Sequence, residues 1–529
     1  MADAKPEQQP TQIKETITSI IIAFAMAFVF RGFVIEAFVI PTGSMAPTLL
    51  GAHMRYKSPY SGYEWTTGPK EYLDQTGTVP APIQTGVNVN DPMTGQPLPA
   101  RNTPRLWGDR IFVMKYLYSI YDPKRWDVVV FKNPTDPGIN YIKRLIGLPN
   151  EMVAMIDGDV FVQPVAPGEQ VNPEERLWGG NKWRVARKPE AAQRAMWQPI
   201  FSSEYTPISA AAYVAPWVAP RDQSNSWKLA DRKDYEYTGQ APTSLTWHPG
   251  RQITDFVAYN ETSPGRFQVF PTSDIRLSLG IRPEKEGQRV AAVVNARGHE
   301  FRAEVAGADV TLQMRQADGI NPDGPWQPLA TAKLDQPLTP GVVTNLDFWH
   351  VDQSMSLFVN DSRVAYAEYH WSPAERVQRS LGVDLKRVQG DPFYLMQPNN
   401  YKQAGAHFEF AGGPFTLYRV AIERDIYYQP ALYNSLSGRE GQPGKTLSPA
   451  TTAVLSPNQF FTCGDNSPMS LDGRLWGPHN PWVDEIDDTH GVVHRDLLIG
   501  KAFLVYFPAP RRGPVPVPIP DFGSMRFIW

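Results

Sequence analysis

Val39-Ile40-Pro41-Thr42-Gly43-Ser44-Met45-Ala46-Pro47-Thr48-Leu49 is a β-prone run that breaks at proline and glycine, and the break presents one hydroxyl, that of Ser44. Its counterpart is Tyr141-Ile142-Lys143-Arg144-Leu145-Ile146-Gly147-Leu148-Pro149, which places a lysine amine inside an otherwise apolar strand. A serine hydroxyl is a poor nucleophile at neutral pH, so a neighbouring base must take its proton as it attacks a carbonyl carbon. Lysine serves as that base only when neutral. Burial among apolar side chains disfavours the ammonium form and lowers its pKa by roughly 3 to 5 when complete, toward the range where general bases work best. In a strand, Tyr141 and Leu145 share the face of Lys143, and Arg144 points the other way.

Taken singly, each segment has an ordinary structural reading: a serine in a Pro/Gly turn, a lysine snorkelling from a strand edge. Two further segments change that. Pro123-Lys124-Arg125-Trp126-Asp127-Val128-Val129-Val130-Phe131 is a turn followed by a buried-type strand, and Gly464-Asp465-Asn466-Ser467-Pro468-Met469-Ser470-Leu471-Asp472-Gly473-Arg474 is a polar loop dense in hydrogen-bonding groups. All four, in this order and behind an N-terminal apolar segment, resemble the type I signal peptidases, membrane-bound serine proteases that cut signal peptides from exported proteins.

The resemblance implies a role for each matching residue. Ser44 is the expected nucleophile and Lys143 the general base. Thr42, where the family usually has serine, completes the oxyanion hole with the backbone N–H of Ser44. Ser470 matches the serine that hydrogen-bonds and orients the lysine amine. Asp472 and Arg474 match a pair that braces the loop, and Arg144 with Asp465 is expected to form another brace. The loop departs from the family pattern at Ser467-Pro468-Met469, at Gly473 in place of serine and at Cys463 where methionine is common. The spacing from Gly464 to Arg474 is kept, so the departures bear on substrate contact and not on the catalytic pair.

Other hydrolase patterns fit less well. Gly43-Ser44 lacks the second glycine of a nucleophile elbow, and no lysine lies three positions after Ser44. The nine histidines lie mostly in mid-chain, far in sequence from these motifs, which makes a Ser/His/Asp triad a poor alternative. His490 and His494, near Asp487 and Asp488, have no obvious third convergent ligand, so no metal site is expected. No cofactor is expected either.

Residues 17–30 form an almost unbroken apolar run. It is short beside the about 20 residues that cross a bilayer comfortably, but Lys14 and Arg31 can reach outward from its ends. Ala25-Met26-Ala27 looks like a signal-peptide processing site, yet it lies inside the run instead of after it. The expectation is therefore an N-terminal transmembrane helix leading through the strand Phe33-Val34-Ile35-Glu36-Ala37-Phe38-Val39-Ile40 to Ser44. Lys5 and Lys14 before the span and Arg31 after it give a weak bias toward a cytoplasmic N-terminus. Cys463 alone makes no internal disulfide, which is compatible with export. With the resemblance added, the expected location is the inner (plasma) membrane, single-pass, with the catalytic domain on the periplasmic side.

The 529 residues suggest two or three domains. A net charge of −3 leaves no basic field for nucleic acid, and 51 prolines with 40 glycines point to short strands and turns. The expected fold class is mainly β. Residues 1–31 are read as tail and anchor, and 32–162 as the first part of a coiled antiparallel β catalytic domain with an irregular loop insertion at 52–106. Asp157-Gly158 is a hairpin signal within that first part. Residues 163–446 have no counterpart in ordinary signal peptidases, and 447–529 return to the catalytic domain, with Leu497-Leu498-Ile499-Gly500-Lys501-Ala502-Phe503-Leu504-Val505-Tyr506 resembling the family's closing strand.

Within 163–446, the stretch 163–250 is rich in Trp, Pro and Arg without clear periodicity. From 251 the sequence alternates regularly, as in Ile275-Arg276-Leu277-Ser278-Leu279 and Val310-Thr311-Leu312-Gln313-Met314, and Asn360-Asp361 reads as a hairpin tip. The pattern at about 251–430 is similar to laminin-G or concanavalin-like jelly rolls, so an inserted β-sandwich is expected there. Such sandwiches often bind glycans, so a glycan or envelope ligand is one expectation and a rigid packing module the blander one. Calcium at Asp352 or Asp361 has no supporting pattern.

The function implied is an anchored endopeptidase that acts on exported preproteins at the lipid bilayer through an acyl-enzyme. The rival from another class is a non-catalytic envelope or glycan-binding protein that acts through its sandwich.

Overall fold

The computed structural model describes residues 11–68, 89–98, 103, 105–207, 213–229, 233–260, 268–317, 324–430, 444–509, 511–512, 518–519 and 521–529. The tail residues 1–10 with Lys5, and the parts of the 52–106 insertion at 69–88 and 99–102, lie outside these.

Valine- and isoleucine-rich segments far apart in the chain pair into one antiparallel sheet. Its order is Ile35–Val39, Arg110–Met114, Leu498–Phe507, Val128–Asn133, Asp136–Gly147, Gln459–Cys463, Val493–His494, and Arg526–Phe527 pairs with Leu498–Phe507. The strand Asp136–Gly147 is thus central: Lys143 stands opposite Val129, and Arg144 stands opposite Val128 on one side and Cys463 on the other. A second sheet joins Glu151–Ile156 to Asp159–Pro164 through the Asp157-Gly158 turn, where both residues take positive φ, and to Ala453–Leu455. The segments before and after the long insertion therefore share both sheets. Met45, Leu49, Ile111, Val113, Val128, Val130, Ala502 and Val505 fill the core under the first sheet.

The helix Thr11–Val29 covers the N-terminal apolar run and ends in a single π turn, Phe30–Val34. No helix among the described residues is long and apolar enough to cross a membrane, which corrects the expected transmembrane anchor and single-pass topology. Length is the physical reason. Lys14, Glu15, Thr16, Thr18 and Ser19 occupy its first half. The fully apolar remainder from Ile20 to Val29 rises only roughly 15 Å, against a hydrocarbon core of roughly 30 Å.

The inserted region is a two-sheet sandwich. One sheet runs Trp227–Lys228, Tyr235–Tyr237, Phe415–Arg424, Ile275–Pro283, Thr344–Val351, Ser354–Val359, Ser362–Glu368, with Gln198–Ser202 also on Phe415–Arg424. The other runs Trp217–Val218, Thr243–Trp247, Gly405–Ala411, Arg289–Ala296, His299–Ala306, Asp309–Gln316, Gln327–Lys333. Alternate residues of both sheets, among them Leu277, Phe348, Leu417, Val294, Phe301 and Phe408, meet in one core. Asn360 and Asp361 both take positive φ at the tip joining Ser354–Val359 to Ser362–Glu368.

Two expected boundaries differ. The sheets recruit strands from Gln198 onward, well before 251, because Trp217, Trp227 and Trp247 are buried core residues in strands of two to five residues, too short to show alternation. The 52–106 insertion, expected to be irregular, contains a three-stranded sheet of Glu64–Thr67, His53–Lys57 and Arg105–Leu106.

Candidate active site

The turn carrying Ser44 is fixed from below and from its ends. Met45, Ala46 and Leu49 are wholly buried, and Ala46 and Leu49 donate backbone hydrogen bonds to Gly43 and Met45. Buried Asp109 bridges both ends: its carbonyl accepts from Ile40 N–H at 2.9 Å and its carboxylate from Leu50 N–H at 3.0 Å. Thr42 is exposed, two residues before half-buried Ser44.

Lys143 projects from the central strand onto this turn, with Nζ 2.6 Å from Ser44 Oγ. The Tyr141 ring lies on the same face, 5.3 Å from Nζ. Lys143 is 3% exposed, and burial lowers its pKa from 10.5 to about 8, with the Asp472 carboxylate partly opposing the fall. Near pH 8 the amine is therefore neutral in about half of the molecules, the form a general base requires.

The loop 464–474 closes over the pair. Gly464 has no room for a side chain: a Cβ there would stand 2.2 Å from Ser470 Oγ and 2.3 Å from the Ser44 carbonyl oxygen. The Asp472 carboxylate accepts from Gly464 N–H at 2.9 Å and is held by Arg474 through contacts of 2.8 and 2.7 Å, with both side chains fully buried. Burial pushes the Asp472 carboxyl up, but Arg474 outweighs it and leaves the pKa below its ordinary value. On the opposite face of the strand, Arg144 grips Asp465 at 2.7 and 2.6 Å and also donates to the carbonyls of Trp126 and Trp529. Ser470 stands apart from its expected role: its Oγ is buried beside Gly464 and has no hydrogen-bond partner, Lys143 included, among the described residues.

The structure thus brings Ser44, Lys143, Asp472 and Arg474 together, with Arg144 and Asp465 on the reverse of the strand. His490 and His494 are not joined in a ligand cluster. Among the described residues the sole group of three metal-ligating side chains is Asp159, Asp274 and Asp352. Their neighbours are the protein's own cations, Arg376 on Asp159, Arg297 on Asp274 and Lys188 on Asp352.

Asn466, Tyr259 and Asn260 were not singled out from the sequence. Asn466 donates its backbone N–H to the Ser44 carbonyl at 3.1 Å and its side-chain amide to the Gly43 carbonyl at 2.9 Å. The Tyr259 ring packs on Gly43, where a Cβ would come within 2.1 Å of it. Asn466 belongs to the quoted loop, but the other two lie in the insertion, where no local pattern marks them.

Residues 13–71 and 101–198 match the family model described as signal peptidase, peptidase S26. Signal peptidase I of Rickettsia typhi (strain ATCC VR-144 / Wilmington) is 27% identical over 150 residues, 28% of this chain and 43% of that protein. Signal peptidase I of Rickettsia canadensis (strain McKiel) is 28% identical over 160 residues, 30% of this chain and 46% of that one. The match therefore spans less than half the length of these curated relatives. The family-model match covers the Ser44 and Lys143 segments, whereas the 464–474 loop lies beyond it. Among solved structures, the laminarinase from Rhodothermus marinus aligns with 44% of this chain and 98% of its own at 11% identity, with a TM-score of 0.27. At that score the likeness carries no argument, and the sandwich is read from its own sheets.

Proposed function

We infer from the match of residues 13–71 and 101–198 to the signal peptidase, peptidase S26 family that this chain is a serine endopeptidase that removes N-terminal signal peptides from exported preproteins. In the mechanism proposed, neutral Lys143 takes the Ser44 proton and the alkoxide attacks the scissile carbonyl. The tetrahedral oxyanion is met by the Ser44 N–H and the Thr42 hydroxyl. Collapse releases the mature protein's new N-terminus, with Lys143 returning the proton to the leaving amine, and leaves an acyl-enzyme on Ser44. Water deprotonated by Lys143 then hydrolyses the ester.

The observation that carries this reading is the 2.6 Å contact of Ser44 Oγ with a lysine amine whose pKa burial lowers to about 8. Asp472, Arg474, Arg144 and Asp465 are proposed to hold the loop and strand so that little reorganisation is needed at reaction. Gly464 keeps the loop close enough to seal Lys143 from water. The proposed setting is the outer face of the plasma membrane, where signal peptides emerge from lipid.

The test is product mapping. Purified chain incubated with an exported preprotein should generate one new N-terminus, directly after a small residue at the signal-peptide boundary. Cuts scattered through the mature sequence, or an unchanged preprotein, would refute signal-peptide removal.

A further inference from the structure

We propose that Asn260, supplied by the inserted region, is a positioning residue for the Ser44 turn and acts through Asn466; this rests on the serine-protease reading of Ser44. The two side-chain amides form a reciprocal pair. Asn260 Nδ2 donates to Asn466 Oδ1 at 2.8 Å, and Asn466 Nδ2 donates to Asn260 Oδ1 at 2.7 Å. The second Nδ2 hydrogen of Asn466 goes to the Gly43 carbonyl, and its backbone N–H goes to the Ser44 carbonyl. Asn466 is 1% exposed. Two of the three hydrogen bonds of its buried side chain are therefore to Asn260, and truncating Asn260 to alanine removes both.

Residues 255–260 are tied to the rest of the insertion by hydrogen bonds. Asp255 N–H donates to the Phe270 carbonyl and Asn260 N–H to the Val257 carbonyl. Arg424 donates to the carbonyls of Asp255 and Phe256. Tyr259 adds a clamp on the same turn: its hydroxyl donates to the Ala52 carbonyl at 2.9 Å and its carbonyl accepts from Gly68 N–H at 2.6 Å while its ring covers Gly43. The far end of the insertion reaches the same loop, since Gln429 N–H donates to Ser467 Oγ, which also accepts from Arg474. The sandwich is thus built into the support of the nucleophile, and the two peptide carbonyls flanking Ser44 N–H and following it are oriented by an amide that the insertion locks. An amide freed to rotate lets the Gly43 and Ser44 peptide units tilt, and the oxyanion donor with them.

The experiment uses the full chain and a preprotein substrate. Asn260→Ala should lower kcat about tenfold with KM within about twofold, and Asn260→Asp, which keeps an acceptor and loses the donor, should fall between. Asn260→Ala added to Asn466→Ala should cost no more than Asn466→Ala alone, because the first residue acts only through the second. Amide hydrogen exchange of residues 41–50 should quicken in Asn260→Ala. Unchanged kcat, additive losses in the double variant, or unchanged exchange at 41–50 would each overturn the proposal. Absence of Ser44-dependent cleavage by the unaltered chain would instead refute the protease reading, and the exchange measurement would still decide whether Asn260 holds the turn.

Discussion

Lys143 Nζ and Ser44 Oγ lie 2.6 Å apart although they are 99 positions apart in the chain. The contact joins a turn whose hydrophobic underside is buried to a strand at the centre of an antiparallel sheet. Neither partner can move without disturbing packing. Rigid support of this kind favours proton transfer, because reacting groups held at bonding distance need little reorganisation.

The pH dependence follows from the amine. Activity should rise with pH through about 8, as Lys143 loses its proton. Stability changes in the same direction: the folded amine titrates near about 8 and the unfolded one near 10.5, so between those values the unfolded chain holds more protons. This group then adds about 3 kcal/mol of stability across that window as pH rises. Urea titrations of the chain and of Lys143→Met at pH 8 and pH 10.5 measure the difference. Equal pH responses in the two proteins would contradict the assigned burial effect.

Thr42 is exposed in front of Ser44 and is proposed to give one donor to the oxyanion. Thr42→Val keeps shape and removes the hydroxyl, so kcat should fall by about 100-fold or more with KM little changed, whereas Thr42→Ser should retain most activity. Steady-state kinetics on one preprotein separate the two parameters. A loss confined to KM would move Thr42 from the oxyanion to substrate binding.

Arg144 and Asp465 are wholly buried and paired through two contacts. Asp465→Ala strands a guanidinium in the interior and should destabilise the chain by about 3 to 5 kcal/mol. Denaturant unfolding checks this, and a change under about 1 kcal/mol would show that the Trp126 and Trp529 carbonyls suffice to hold Arg144.

Gly464→Ala places a methyl group against Ser470 Oγ and the Ser44 carbonyl. Ser470 can rotate away, but the Ser44 carbonyl is backbone and can yield only by shifting the turn. The substitution should therefore push the turn from Lys143 and abolish most cleavage while the sandwich remains folded, as measured by activity beside circular dichroism.

Much of this site was legible because its chemistry sits in short segments. Val128 to Phe131 and Ile142 to Ile146 read as buried strands, and a lysine among such neighbours announces its own altered pKa. The turns Asp157-Gly158 and Asn360-Asp361 were legible for the same local reason, as residues that tolerate positive φ. What the sequence hid depends on contacts between distant segments. Trp217, Trp227 and Trp247 lie in strands too short for a period to show, and Asn260 gains its meaning only when it meets Asn466. Ser470, placed by resemblance beside the lysine amine, has a buried hydroxyl without a hydrogen-bond partner among the described residues. The apolar run at 17–30 was overread as a span, because the polar residues that open its helix shorten the fully apolar part to ten residues.

Catalysis is assigned to one amine and one hydroxyl, so the chain is to be compared with Ser44→Ala and Lys143→Met on a single preprotein, after unfolding curves have shown all three to be folded. The unaltered chain should cleave the preprotein, and each variant should lose activity by at least about 1,000-fold. Cleavage persisting near its original rate in either folded variant would contradict that assignment.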